Sequence, residues 1–218
     1  KDQDIIRRVY ADAAVEITGK PAKDDSNDGS NGNNNIDSTY LARMTGAVQL
    51  HQEGIMGDGV TIAVVDTGTW NDSGIVRDPD NNIRLLAEYD AIVDSSSIAD
   101  GYGHGTHVAG IISGSGKGSS GVHSGAATGA KLLSLQVLDS NGQGQMSDVM
   151  AALDWLLQYG SHFDIKVVNL SLGKPVSESN ATDPLVLAAE QLWDAGMVVV
   201  VAAGNHGPSG YFTTTSPG

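Results

Sequence analysis

The sequence contains no cysteine, which excludes a disulfide framework and thiolate chemistry. It also lacks an uninterrupted apolar run of about 18 residues, so we expect no segment to span a membrane. Positive charge is scarce: 12 lysines and arginines face 26 aspartates and glutamates, giving a net charge of −14. This imbalance argues against nucleic acid and against an anionic membrane surface as partners.

Composition changes twice near the N-terminus. Residues 1–18 mix apolar and charged side chains and are compatible with one short strand. Residues 19–38 are polar, rich in glycine and asparagine and of low complexity, so we expect a flexible linker there. The globular body is predicted to begin at about residue 39, after a candidate helix N-cap at Ser38.

Strands and helices alternate through the rest of the chain. The nearly continuous apolar run over 60–65 is typical of a parallel strand that is covered on both faces. Similar runs predict strands over 83–89, 132–137, 166–170 and 197–201, and helical spacing predicts helices over 106–113, 146–157 and 184–195. This alternation predicts an α/β fold with a doubly wound, mostly parallel sheet and helices on both faces.

Three polar motifs are expected to meet at one edge of this sheet. Asp66 follows the first strand of the body, and Asn205 follows the last predicted strand. His104, which has a glycine on each side, lies at the start of a predicted helix. Ligands of parallel α/β sheets bind at the carboxyl ends of the strands. Each motif alone is compatible with a turn or a helix cap, but their convergence favours a site.

The chemistry of these groups points to acyl transfer. A carboxylate beside an imidazole fixes the ring's tautomer and stabilises its protonated form. An amide donor can stabilise the oxyanion of a tetrahedral intermediate. Asp66, His104 and Asn205 therefore supply three of the four parts of such a catalyst, and the nucleophile is the missing part.

Over about residues 40–218 the chain resembles the subtilisin-like serine proteases. The resemblance rests on three runs: Val64-Val65-Asp66-Thr67-Gly68, Gly103-His104-Gly105-Thr106-His107-Val108-Ala109-Gly110 and Val201-Ala202-Ala203-Gly204-Asn205. It implies that Asp66 orients His104, that His104 is the general base and acid, and that Asn205 donates to the oxyanion. It further implies a secreted serine endopeptidase that needs no cofactor for its chemistry.

Substrate binding is implied in the same way. An extended protein or peptide substrate would lie between two strand-like edges, and the specificity pocket would have walls of small residues that leave room for a large side chain. The residues are Gly142, Gln143 and Gly144 on one edge, Ser171, Leu172 and Gly173 on the other, and Ala202, Ala203 and Gly204 on the opposite wall of the pocket.

The sequence departs from the family pattern in two places. The family's Gly-Thr-Ser nucleophile motif does not occur, so we expect the serine on a segment beyond Gly218 and this piece alone to be inactive. The stretch 113–121 carries no carboxylate where many relatives have a calcium loop, so a structural calcium ion is left without a ligand set. Residues 1–18 also resemble the last strand of the family's inhibitory propeptide, with maturation then expected within 19–38.

Two alternatives remain at this point. A protease-like domain that grips peptides without cutting them would account for the missing serine. A metal hydrolase would use Asp66, His104, His107 and His123, although His104 and His107 are three residues apart with no glutamate base between them.

Overall fold

A computed structural model describes residues 11–17, 42, 45–117, 123–207 and 213–218. The linker predicted over 19–38 and the candidate cap at Ser38 lie outside these residues. The strands are β1 (Ala14–Ile17), β2 (Thr61–Asp66), β3 (Leu85–Asp90), β4 (Lys131–Gln136), β5 (Gln143–Gln145), β6 (Ile165–Leu170), β7 (Leu172–Gly173) and β8 (Val198–Val201). The helices are α1 (Ala47–Gln52), α2 (Ser73–Val76), α3 (His104–Ser113), α4 (Met146–Phe163) and α5 (Pro184–Asp194).

Five parallel strands form the central sheet in the order β3-β4-β2-β6-β8. The chain starts in the middle with β2, adds β3 and β4 on one side and then β6 and β8 on the other. Such a reversal of winding direction places a crevice beside the carboxyl end of the first strand. Asp66 is the last residue of that strand.

The two faces of the sheet carry separate hydrophobic cores, because side chains alternate along each strand. In β2, Ala63 and Val65 belong to a core that is covered by α4 and α5, whereas Ile62 and Val64 belong to a core that is covered by α2 and α3. The doubly wound α/β fold with helices on both faces, predicted from the sequence, is confirmed. In the described part of the chain, no helix has both the length and the apolar character needed to cross a membrane.

Local signals in the sequence explain where α5 begins and ends. Asp183 accepts a hydrogen bond from the Leu185 amide at 3.0 Å, and Pro184 occupies the first turn, where its missing N–H is not needed. Gly196, at a φ of 92°, follows the helix end in the left-handed conformation that glycine adopts readily. Both boundaries were predicted from these residues.

A second, smaller sheet has the antiparallel order β5-β1-β7. Val15 of β1 pairs with Gly144 of β5, and Glu16 pairs with Gly173 of β7. Val15 is buried with 1% of its surface exposed, whereas Glu16 points to solvent. The short strand predicted within residues 1–18 is therefore present, and it lies between two segments of the globular body.

Arg84 is a buried cation that joins three separate segments. Only 1% of its surface is exposed, and its guanidinium donates to the carbonyl oxygens of Ile75 at 2.6 Å, Gly74 at 2.7 Å and Thr128 at 3.0 Å. Burial lowers the pKa of Arg84 to about 10, so the group remains charged at neutral pH. The sequence places Arg84 in a predicted strand over 83–89 and gives no sign of its buried contacts.

We expect Arg84→Met to lower the free energy of unfolding by at least ~3 kcal/mol, because the carbonyl oxygens of Ile75 and Thr128 would lose the guanidinium as their donor, while Gly74 would keep only its bonds from Ser115. Chemical denaturation followed by circular dichroism measures the effect. Arg77→Met is the matched control, since Arg77 donates to the Asn81 carbonyl at the exposed surface, and its loss should cost less than ~1 kcal/mol. Equal losses in the two variants would show that Arg84 does not hold these segments together.

Candidate active site

The structure brings Asp66 and His104 into direct contact. The Nδ1 atom of His104 lies 2.8 Å from Oδ1 and 2.9 Å from Oδ2 of Asp66. Asp66 is fully buried at the end of β2, and the side chain of His104 is 18% exposed at the first turn of α3. A ring that donates from Nδ1 to a carboxylate presents Nε2 as the nitrogen that can accept a proton.

A close approach of two backbone segments makes this contact geometrically feasible. A methyl group on Gly105 would overlap the carbonyl oxygen of Gly68, which shows how tightly α3 packs against the chain after β2. The Thr67 amide donates to Asp66 Oδ1 at 2.7 Å, and the Gly105 amide donates to Thr67 Oγ1 at 2.9 Å. Gly105 is therefore required for steric reasons, because only a residue without a side chain allows the first turn of α3 to pack directly against the segment that follows Asp66.

Asp100 anchors the start of α3 and was missed by the sequence analysis. One of its carboxylate oxygens accepts from Thr67 Oγ1 at 2.8 Å and from the Gly103 amide at 2.6 Å. The other accepts from the Thr106 amide at 2.9 Å and from its hydroxyl at 2.5 Å. A carboxylate four residues before a helix-opening histidine, within a glycine-rich run, is a capping signal that could have identified this residue.

The electrostatics of the site favour protonation of His104. The hydrogen bond with Asp66 raises the pKa of His104 most, burial opposes it, and the charges of Asp66 and Asp100 raise it further. The pKa of His104 in the folded chain thus lies above its ordinary value of about 6.5. The stabilisation that protonated His104 provides is complete below about pH 6.5 and is lost as the pH rises through the folded-state pKa.

The third predicted catalytic residue lies further along the same edge of the sheet. Asn205 is exposed and follows β8 after Ala202, Ala203 and Gly204. The strand β6 separates β8 from β2, so Asn205 and Asp66 follow strands that are two positions apart. Gly204 has a φ of 95°, which turns the chain immediately before Asn205.

The predicted substrate edges are the two strands that flank β1. Gln143 and Gly144 lie in β5, and Leu172 and Gly173 lie in β7. The residues next to them, Gly142 and Ser171, also lie close to this arrangement: the Ile17 amide donates to the Gly142 carbonyl at 3.1 Å, and Ser171 directly precedes β7. Residues 14–17 of the same chain thus occupy the position between the edges.

The metal-hydrolase alternative finds no support in the geometry. Nδ1 of His104 is taken by Asp66, and His107 is exposed on α3. Among the residues that the structure describes, no three histidine, cysteine, aspartate or glutamate side chains are grouped so that they could hold a metal ion.

The stretch 113–121, where the sequence lacks the carboxylates of a calcium loop, is described only in part, since residues 118–121 lie outside the described ranges. In residues 113–117 the sequence offers no carboxylate, which calcium sites normally require. The nearby Gly74 carbonyl already accepts hydrogen bonds from Ser115 and Arg84. These residues do not fit a calcium site.

Comparisons with known proteins agree with one another. The model of the subtilase family matches residues 57–217. The serine protease AprX of Bacillus subtilis is 37% identical over 188 residues, covering 84% of this chain and 41% of that protein. An extracellular serine proteinase of a Thermus species is 42% identical over 149 residues, covering 68% of this chain and 32% of that protein.

Among solved structures, a cold-adapted subtilisin-like serine proteinase matches with a TM-score of 0.55 and 32% identity. The match covers 69% of this chain and 48% of that one. The chain therefore spans less than half the length of each of these three proteins.

We expect Asp100→Asn to lower the pKa of His104, because removing a nearby negative charge destabilises the protonated ring. It should also destabilise the fold by about 1–3 kcal/mol, since an amide nitrogen cannot accept the bonds that a carboxylate oxygen accepts. NMR titration of the histidine ring and thermal denaturation measure the two effects.

Asp154→Asn is the matched control, because Asp154 is exposed on α4 and the substitution removes the same charge. It should leave both quantities nearly unchanged. A His104 pKa that stays at its original value in Asp100→Asn would contradict the electrostatic effect of Asp100 on His104.

Proposed function

Because this chain belongs to the subtilase family, we propose that it supplies the acid and base of a serine endopeptidase of subtilisin type. The observation that carries the proposal is the contact between the buried Asp66 carboxylate and His104 Nδ1 at the carboxyl edge of the parallel sheet. The proposed nucleophile is a serine on a segment outside these 218 residues. Without that segment the chain alone is expected to be inactive.

In the proposed reaction the serine oxygen attacks the carbonyl carbon of the scissile peptide bond. His104 Nε2 takes the hydroxyl proton, and Asp66 stabilises the imidazolium that results. Asn205 donates to the oxygen that becomes negatively charged. His104 then returns the proton to the leaving amine, and a water molecule activated in the same way releases the acyl group from the serine.

This chemistry requires no cofactor. A structural calcium ion remains a prediction from the resemblance, with no ligands assigned. Extracellular action is proposed on the ground that the Thermus relative is named an extracellular proteinase.

Residues 1–18 are proposed to end an inhibitory prosegment. The supporting observation is the position of β1 between the two proposed substrate edges, with hydrogen bonds typical of β-augmentation. The residues before β1 bind the body too: Asp12 accepts from the Ser147 amide at 2.9 Å and from its hydroxyl at 2.8 Å. Asp12 thereby serves as a capping residue for α4 from outside the helix.

We expect His104→Ala to lower kcat/KM for peptide hydrolysis by at least ~10⁴-fold, because the serine hydroxyl would lose its base. The assay uses the protein that carries this chain together with the serine segment. His107→Ala is the matched control, since His107 lies exposed on the same helix and should be dispensable. Tight binding of peptides without hydrolysis in the unsubstituted protein would instead favour the non-catalytic binding module.

A peptide of residues 11–18 should inhibit the processed protease in trans, and the Val15→Asp version should inhibit at least ~100-fold less well, because Val15 is buried and an unpaired carboxylate there is costly. Glu16→Gln, which alters an exposed neighbour in the same strand, is the control and should retain inhibition. Competition against a fluorogenic substrate measures both.

The maturation site is predicted within residues 19–38. N-terminal sequencing of the processed enzyme tests this prediction directly. A mature start before Lys1 or inside the globular body would contradict the assignment of residues 1–18.

A further inference from the structure

Thr215 lies between the two walls of the proposed specificity pocket, one of which carries Gly173 and the other Gly204. A methyl group placed on Gly173 would lie 2.5 Å from the hydroxyl oxygen of Thr215 and 2.9 Å from its Cβ. A methyl group placed on Gly204 would lie 3.0 Å from the same hydroxyl oxygen and from the Thr215 methyl. One threonine side chain therefore contacts both walls and fills the gap between them.

The backbone around Thr215 is attached to both walls, so the side chain is held in place. The Thr215 amide donates to the Ala203 carbonyl at 3.1 Å, which joins it to the wall that carries Gly204. Ser216 exchanges two hydrogen bonds with Lys174, at 2.9 and 3.0 Å, which joins it to the wall that carries Gly173. The two segments cannot separate without breaking these bonds.

The residue after Gly173, Lys174, forms a buried ion pair. Lys174 Nζ lies 2.6 Å from a carboxylate oxygen of Asp183, and the two side chains are only 3% and 2% exposed. The hydrogen bond from Lys174 contributes to lowering the pKa of Asp183, against the opposing effect of burial. Separating the two charges would leave each of them buried and unpaired, which is strongly unfavourable, so Lys174 is expected to stay fixed beside Gly173.

The side chain of Thr215 is not used to hold a neighbouring group. It is 7% exposed, and its hydroxyl oxygen has no hydrogen-bond partner among the residues that the structure describes. A buried, unpaired hydroxyl normally costs ~1–3 kcal/mol, so packing in the core does not by itself explain a threonine at this position.

We propose that Thr215 closes the specificity pocket, so that the protease cleaves after small residues and excludes aromatic and long aliphatic side chains. This inference rests on the proposed function. It reverses the expectation from the sequence, in which small residues on the walls leave room for a large side chain. The residues that follow β1 in the sequence, Thr18 and Gly19, are themselves small, as a segment selected by such a pocket would be.

The test uses the protein that carries this chain with its serine segment and a set of tetrapeptide amides that differ only in the last residue. We expect kcat/KM to be at least ~100-fold higher after alanine than after phenylalanine, because overpacking a rigid site is strongly unfavourable. Thr215→Gly should lower that ratio at least ~10-fold by raising cleavage after phenylalanine.

Two control variants show whether the size of the Thr215 side chain, rather than its hydroxyl group or the introduction of a glycine into this segment, sets the preference. Thr215→Val keeps the side chain's size and should retain the preference for alanine, whereas relaxation equal to that of Thr215→Gly would overturn the proposal. Thr214→Gly makes the same substitution at the exposed neighbouring threonine and should also leave the preference unchanged. If Thr215→Gly fails to fold, the specificity of the unsubstituted protein still tests the proposal. Equal kcat/KM values after alanine and after phenylalanine would overturn it.

Failure of the proposed function gives a different result, namely no hydrolysis of any peptide. In that case the binding of tetrapeptide acids ending in alanine or phenylalanine, measured by calorimetry, tests the pocket alone. Stronger binding of the alanine peptide supports its closure by Thr215, and equal or stronger binding of the phenylalanine peptide contradicts it.

Discussion

A carboxylate that is fully removed from water must be compensated by hydrogen-bond donors of the protein itself. Asp66 accepts from the amide of the next residue, Thr67, and from Nδ1 of His104, which lies at the start of α3. The start of α3 in turn depends on Gly105 lying against Gly68 and on Asp100 accepting from both segments. The position of the histidine thus follows from the requirement to pair one buried charge.

The parallel sheet places the carboxyl ends of all its strands at one edge, so residues that follow different strands come close together. β2 ends at Asp66, and β8 leads into the turn at Gly204 and then Asn205. The same edge borders the small antiparallel sheet through Ser171, which joins β6 to β7. The proposed catalytic residues and the proposed substrate edges therefore lie side by side, because β6 of the large sheet leads directly through Ser171 into β7 of the small one.

Much of this could be predicted from the sequence, because it depends on local patterns. The apolar run of β2, the Asp183-Pro184 start of α5 and the glycines around His104 each carry their own short-range signal. Arg84, Asp100 and Thr215 could not be found in this way. The carbonyl oxygens that Arg84 binds belong to residues 9 to 44 positions away in the sequence. Thr67, which donates to Asp100, is 33 positions away. Thr215 appears in an unremarkable run of threonines until the structure brings Gly173 and Gly204 against it.

The covalent attachment of β1 to the body has a consequence for competition. A segment that is covalently attached to its binding site has an effective concentration there on the order of millimolar, whatever the protein concentration in solution. For β1 this site is the groove between β5 and β7. If the proposed substrate edges bind peptides, an external peptide at micromolar levels would therefore be outcompeted by β1 as long as the chain between Ile17 and Thr45 is intact. A single break in that connection would turn an intramolecular equilibrium into a bimolecular one, and simple dilution would then free the groove.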